Sequence, residues 1–179
     1  MKATGIVRRI DGLGRIVIPK EIRGTLRIRE GDPLEIFTDD DGGIIFRKCS
    51  SMGGNAASVV HYAQILYSIG GLPVLVTDRD RVTAVAGVSR KELLERRVSY
   101  ALEKLIESRR SYVKTALAEK SVYPVEGLER DALVIYPILS CGDIKGSIMY
   151  LKGDSPEPAT EAQIKLIQTA AMFLGKEAE

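Results

Sequence analysis

Histidine occurs once and cysteine twice in the 179-residue sequence, and those shortages remove most of the chemistry a small protein can carry. Cys49 and Cys141 lie in different segments and share no metal-type spacing, so they read as reduced thiols in a cytosolic chain. His61 falls in a helical pattern with no Asp, Glu or Cys at ligand spacing and no nucleophile-elbow motif beside it, which leaves neither a triad nor a metal site. The glycine pairs starting at 42, 53 and 70 belong to neither GxxxxGK(S/T) nor GxGxxG, so no phosphate loop or dinucleotide fingerprint is present. No apolar run approaches the roughly 20 residues that span a bilayer. The opening "MKATGIVRRID" also lacks the apolar stretch of a signal peptide. No paired carboxylates stand out as an acid–base set, and the run Asp39–Asp41 reads as a solvated turn. These absences point to a cytoplasmic, non-enzymatic protein with no cofactor, no metal and no membrane partner.

What is present is charge, unevenly placed. Apolar residues make up 45% and charged residues 28% of the chain, which excludes a disordered protein. The net charge is only +2, yet Met1 to Arg29 carries a net of +6, from Lys2, Arg8, Arg9, Arg15, Lys20, Arg23, Arg27 and Arg29 against Asp11 and Glu21. Glu30 to Ser50 carries −4, and everything after Ser50 sums to zero. A concentrated basic footprint in a nearly neutral chain suggests a polyanionic partner. The competing reading is a solvated surface balanced by the acidic segment that follows.

The composition changes at "CSSMGGNAAS", which predicts a boundary between domains 1–52 and 53–179. The first reads as four short strands and one short helix. "GIVRRI" and "RIVI" are β-branched runs joined by "DGLG", and a helix is predicted from about Pro19 to Leu26. "DPLEIF" and "IIFRK" flank the turn "TDDDGG". So few residues bury too little surface for a stable monomer, and with no disulfide or metal as a staple the segment is expected to be an obligate dimer. The second domain reads α-β-β-α-α-β-β-β-α. Asn55 is placed to cap its first helix, "DRDR" to turn a hairpin, and Ser89/Glu92 and Thr160/Gln163 to form capping boxes. "YVKTALAE" and "SVYPVEG" each allow a strand. Ile164, Ile167, Ala171 and Leu174 in the final helix form a short seam, open to its own sheet or to a partner's helix.

The opening "MKATGIVRRIDGLGRIVIPKEIRGTLRIREGDPLEIF" resembles the AbrB family of bacterial transition-state regulators almost without gaps. The "RIREGDPLEIF" wording and the long C-terminal extension look like those members whose second domain is of the GAF type, transcription factors of spore-forming bacteria. The resemblance implies an α+β chain: a swapped-hairpin β-barrel made by two chains, then a GAF-like α/β sandwich for oligomerisation and small-molecule sensing. It implies sporulation-type gene control, as activator or repressor, with double-stranded DNA as partner at the nucleoid. DNA contact in the family falls on arginines matching Arg8, Arg15 and Arg23, and Lys2, Arg9, Lys20 and Arg27 complete the candidate set. Relatives commonly carry a second arginine where this chain has Gly24, so one contact per chain is absent or moved to Lys20 or Arg27. Alternation sends Arg8 and Arg9 to opposite faces, Arg8 sharing its face with Ile6 and Ile10. The final seam suggests a homotetramer. Two other readings stand beside this one. In an antitoxin of the same barrel type a disordered tail is expected, whereas residues 55–179 are patterned. In a small-molecule sensor the barrel only dimerises; the Asn-Lys…Phe-Asp-Glu pattern of cyclic-nucleotide binders is not found.

Overall fold

The protein is described by a computed structural model over residues 5–48, 56–115, 121–154 and 157–178. Lys2, Cys49 and Asn55 lie outside the described residues. The chain divides into two compact units, Met1–Cys49 and Ser50–Glu179.

The first unit holds α1 (Lys20–Leu26), β1 (Leu34–Thr38) and β2 (Ile44–Lys48). Only two of the four expected strands form within the chain. β1 and β2 pair antiparallel from Leu34↔Lys48 to Thr38↔Ile44. Their turn closes where the Asp39 carboxylate accepts the Gly43 N–H and Gly42 takes a φ of +79°. The runs 6–10 and 15–18 join no sheet. The reason is visible in their exposure: Val7 is 85% exposed, Val17 73% and Ile10 62%, so a single chain offers these β-branched residues nothing to pack on. Helix α1 begins one residue later than expected, with the buried Pro19 as its cap residue. It ends at Arg27, which adopts the left-handed conformation usually taken by glycine, φ 51°, and returns its N–H to the Gly24 carbonyl.

The second unit follows the expected element order: α2 (Ala56–Gly70), β3 (Val74–Thr77), β4 (Val82–Ala86), α3 (Arg90–Leu93), α4 (Tyr100–Glu107), β5 (Tyr112–Val113), β6 (Ala132–Ser140), β7 (Asp143–Leu151) and α5 (Glu161–Glu177). The strands form one antiparallel sheet in the order β4-β3-β7-β6-β5. Strand alternation divides the core in two. Val74, Val76, Ile148 and Tyr150 face α2 and α5, while Leu75, Met149 and Leu151 face α3 and α4. A sheet covered on both faces explains why β3 and the last four residues of β7, 148–151, read as unbroken apolar runs rather than alternating ones.

Three local expectations need correction or refinement. Ser89 occupies the cap position of α3, but its side chain makes no capping bond, so the Ser89/Glu92 box does not form. The four-residue helix offers too little to hold it, and the capped helix on this side is α4, where Ser99 accepts the Leu102 N–H. "SVYPVEG" supplies no strand, only a single bridge from Val125 to Val98. The seam of α5 is consumed at home: Ile167, Ala171 and Leu174 are buried, and Ile164 packs against the same core. Gly175 brings α5 so close to β6 that an added Cβ would lie 2.1 Å from the Leu139 carbonyl oxygen. The Thr160/Gln163 capping box forms in both directions, and Gln163 Nε2 also donates to the Gly70 carbonyl, tying the start of α5 to the end of α2.

Candidate nucleic-acid interface

The first unit builds its basic surface from a turn and a helix. In the turn 11–15, the Asp11 N–H donates to the Arg15 carbonyl at 3.1 Å and the Gly14 N–H to the Asp11 carbonyl at 3.0 Å. Gly14 takes a φ of +75°, a conformation that L side chains rarely adopt. The Asp11 carboxylate fills the turn. Its Oδ1 accepts the N–H groups of Leu13 and Arg15, each at 2.9 Å, and its Oδ2 accepts Arg15 Nε–H at 2.7 Å. The Arg15 backbone N–H first, and then its guanidinium, hold the Asp11 carboxyl below the usual carboxylate range. The Arg15 side chain remains 70% exposed, so its guanidinium is held at the root and open at the tip.

Helix α1 places Lys20, Arg23 and Arg27 at spacing i, i+3, i+7, on one face. Lys20 and Arg23 are exposed, whereas Arg27, in the left-handed cap position, is half-buried. Gly24 lies on the same face, four residues after Lys20, with nothing within 4 Å of a built Cβ. Arg8 and Arg9 are both exposed. Turn and helix thus bring Arg15, Lys20 and Arg23 to the surface of one small unit, while Lys2 is outside the described residues. The charge pattern identified the arginines but passed over Asp11, counted only as an opposing charge. The signal was there: an aspartate directly before Gly-x-Gly is a side-chain-closed turn.

Among the described residues no group of three His, Cys, Asp or Glu side chains is placed to hold a metal ion. No helix among them is long and apolar enough to cross a membrane. Cys141 is a free, exposed thiol at the β6–β7 turn, and His61 is exposed on α2. Lys114 pairs with the Asp131 carboxylate, which also accepts from Ser121 at 3.0 Å, and that pairing raises the Lys114 pKa. The unusual feature is an apolar face on α2 and α5. The fifteen residues of α2 include no Asp, Glu, Lys or Arg, and Ile65 and Ile69 are 52% and 66% exposed. On α5 Phe173 stacks on Tyr62 with ring centroids 4.8 Å apart, and Met172 stands exposed beside it.

Comparison with known proteins accounts for both units. The family model described as stage V sporulation protein T C-terminal, transcription factor, matches residues 56–179, and the model of antidote-toxin recognition MazE, bacterial antitoxin, matches residues 7–48. Over 181 aligned residues the chain is 45% identical to stage V sporulation protein T of Bacillus subtilis (strain 168), covering 100% of this chain and 99% of that protein. It is 60% identical over 48 residues to the transition state regulatory protein AbrB of the same organism, covering 27% of this chain and 49% of that one. Among solved structures, the GAF domain of an Acinetobacter phosphoenolpyruvate-protein phosphotransferase aligns with a TM-score of 0.54 at 10% identity, covering 70% of this chain and 82% of that one. The GAF-B domain of DevS from Mycobacterium smegmatis gives 0.51 at 15% identity, covering 69% and 92%. At such identities the likeness concerns the fold alone, and that fold is GAF.

Proposed function

The chain belongs to the stage V sporulation protein T family, and from that premise we propose that it regulates transcription by binding duplex DNA through arginines of its N-terminal unit. The observation carrying this reading is the basic turn and helix. Arg15 is held by Asp11 and Arg23 stands exposed on α1, in a segment whose net charge is +6. Arg8, Arg15 and Arg23 are the principal contacts, with Lys20 ahead of the half-buried Arg27 as the substitute for charge missing at Gly24. Arg9 and Lys2 contribute to the general field.

The functional unit is a dimer through the first unit. Ile6, Val7, Ile10, Ile16 and Val17 are all exposed in the single chain. Covering each such side chain is worth about 1.5–3 kcal/mol, so the partner's hairpin supplies the core that one chain lacks. Domain 1–52 is thereby the DNA-binding part and domain 53–179 the regulatory and assembly part. Two dimers join into a tetramer through the uncharged face of α2 and the Phe173 edge of α5, not through the α5 seam. An uncharged surface can meet its own copy without like-charge repulsion. On the other side of the sheet Leu75, Leu102, Ile135, Met149 and Leu151 are all at most 1% exposed, which favours assembly over small-molecule capture as this unit's task. The antitoxin reading has only residues 7–48 in its favour, because residues 56–179 match a folded transcription-factor domain rather than a toxin-wrapping tail.

The full chain should bind duplex DNA with an affinity that falls steeply as salt rises, by about 0.9 in log–log slope for each phosphate neutralised. Binding that is absent, or indifferent to salt, would refute the reading.

A further inference from the structure

We propose that Asp11 is a specificity-determining residue, a clamp that trades unspecific attraction to DNA for an aimed Arg15. This rests on the DNA-binding reading above and deepens it. A carboxylate in the middle of a basic surface opposes binding to any polyanion, because it repels phosphate and offsets a neighbouring cation. Asp11 sits in that position, and it is not idle there. It is bonded on three sides, to the Leu13 N–H, the Arg15 N–H and the Arg15 Nε–H.

The geometry divides the guanidinium into two parts. The Nε–H is occupied by Asp11 Oδ2, which fixes the plane and direction of the group. The terminal Nη pair stays outward on a side chain that is 70% exposed, and it keeps the fork that matches two acceptors on a base edge or a phosphate. A free arginine loses rotamer entropy when it settles on one base edge, and it settles as easily on any phosphate. A clamped one has lost that freedom beforehand, so the right acceptor geometry is rewarded and the wrong one is not. The clamp and the turn have one origin, since the same carboxylate closes the loop and holds the side chain.

Asp11→Asn separates these roles. The amide oxygen still accepts the two backbone N–H groups and keeps the turn, whereas its NH2 cannot accept from Arg15 Nε–H. Asp11→Ala removes both. The experiment uses the full chain and two duplexes, one selected by the native protein from a random pool and one of unselected random sequence. With the asparagine variant, affinity for the random duplex should rise about five-fold, as expected for releasing surface ion pairs. The ratio of selected to random affinity should fall about ten-fold, the lower range for losing one oriented base contact. Thermal unfolding should be unchanged from the native chain. If both duplexes shift by one common factor, Asp11 acts through charge alone and the inference is overturned while the DNA reading stands. If the native chain shows no salt-dependent binding to either duplex, the reading falls and the inference with it.

Discussion

Replacing Gly24 by arginine tests the α1 surface through two independent readouts. Gly24 lies inside a seven-residue helix, and nothing comes within 4 Å of a Cβ added there. The change therefore meets no steric cost. A helix-interior glycine is about 1 kcal/mol worse than alanine, and arginine recovers most of that difference. Lys20 four residues before and Arg27 three residues after are like charges, which takes back about 0.2–0.5 kcal/mol for each such pair. From a recovery of about 0.8 kcal/mol, the balance falls between about −0.2 and +0.4 kcal/mol, so a urea-unfolding series on the full chain should show near-native stability. Gly24→Ala should gain the full ~1 kcal/mol, because it adds no charge. The DNA readout separates the two variants. Arginine adds one cation per chain and two per dimer, so the salt dependence should steepen by about 1.8 units, while alanine leaves it unchanged. If the arginine variant stays folded yet leaves the slope alone, the Lys20–Arg23 face points away from DNA and the choice of contacts is wrong.

Two further outcomes concern the second unit. Ile65→Asp, placing a charge on the uncharged α2, or Phe173→Asp, placing one beside it on α5, should convert a tetramer to a dimer in sedimentation velocity. A native chain that is already a plain dimer would refute that interface. Burial pushes the Tyr150 phenol up to about 12, and its hydroxyl donates to the Leu66 carbonyl at 3.0 Å. Because the folded pKa lies above the unfolded value of about 10, this group's contribution to stability is complete below pH 10 and is lost as pH rises towards 12. Tyr150→Phe should remove the latest phenolate step in an absorbance titration and cost about 1 kcal/mol. An unchanged titration would place the ring in water.

The second unit was legible because its signals are local. Short apolar runs buried on both faces, a "DRDR" hairpin and the Thr160/Gln163 box each specify structure within a few residues. Ser89 failed for a physical reason: a cap sequence matters only where a helix follows, and α3 ends after four residues. The first unit was legible only in part. Its periodicity marked "GIVRRI" and "RIVI" as strands, but a strand needs a ladder partner, and within one chain those residues have none. The α5 seam was ambiguous for a similar reason, since helical spacing shows that a face is apolar and not what covers it. Asp11 was missed because counting charges discards geometry. Its value lies in three hydrogen bonds that no net charge records.

The central claim is that arginines of the N-terminal unit hold the DNA, and one comparison addresses it directly. The full chain and its Arg8→Ala/Arg15→Ala/Arg23→Ala variant should be titrated with one duplex across a range of salt. Three cations lost per chain are six per dimer, so the log–log slope should flatten by about 5 units, with most of the affinity lost at low salt. Thermal unfolding should show the variant still folded, since all three side chains are exposed. A folded variant that keeps the native slope would contradict the account.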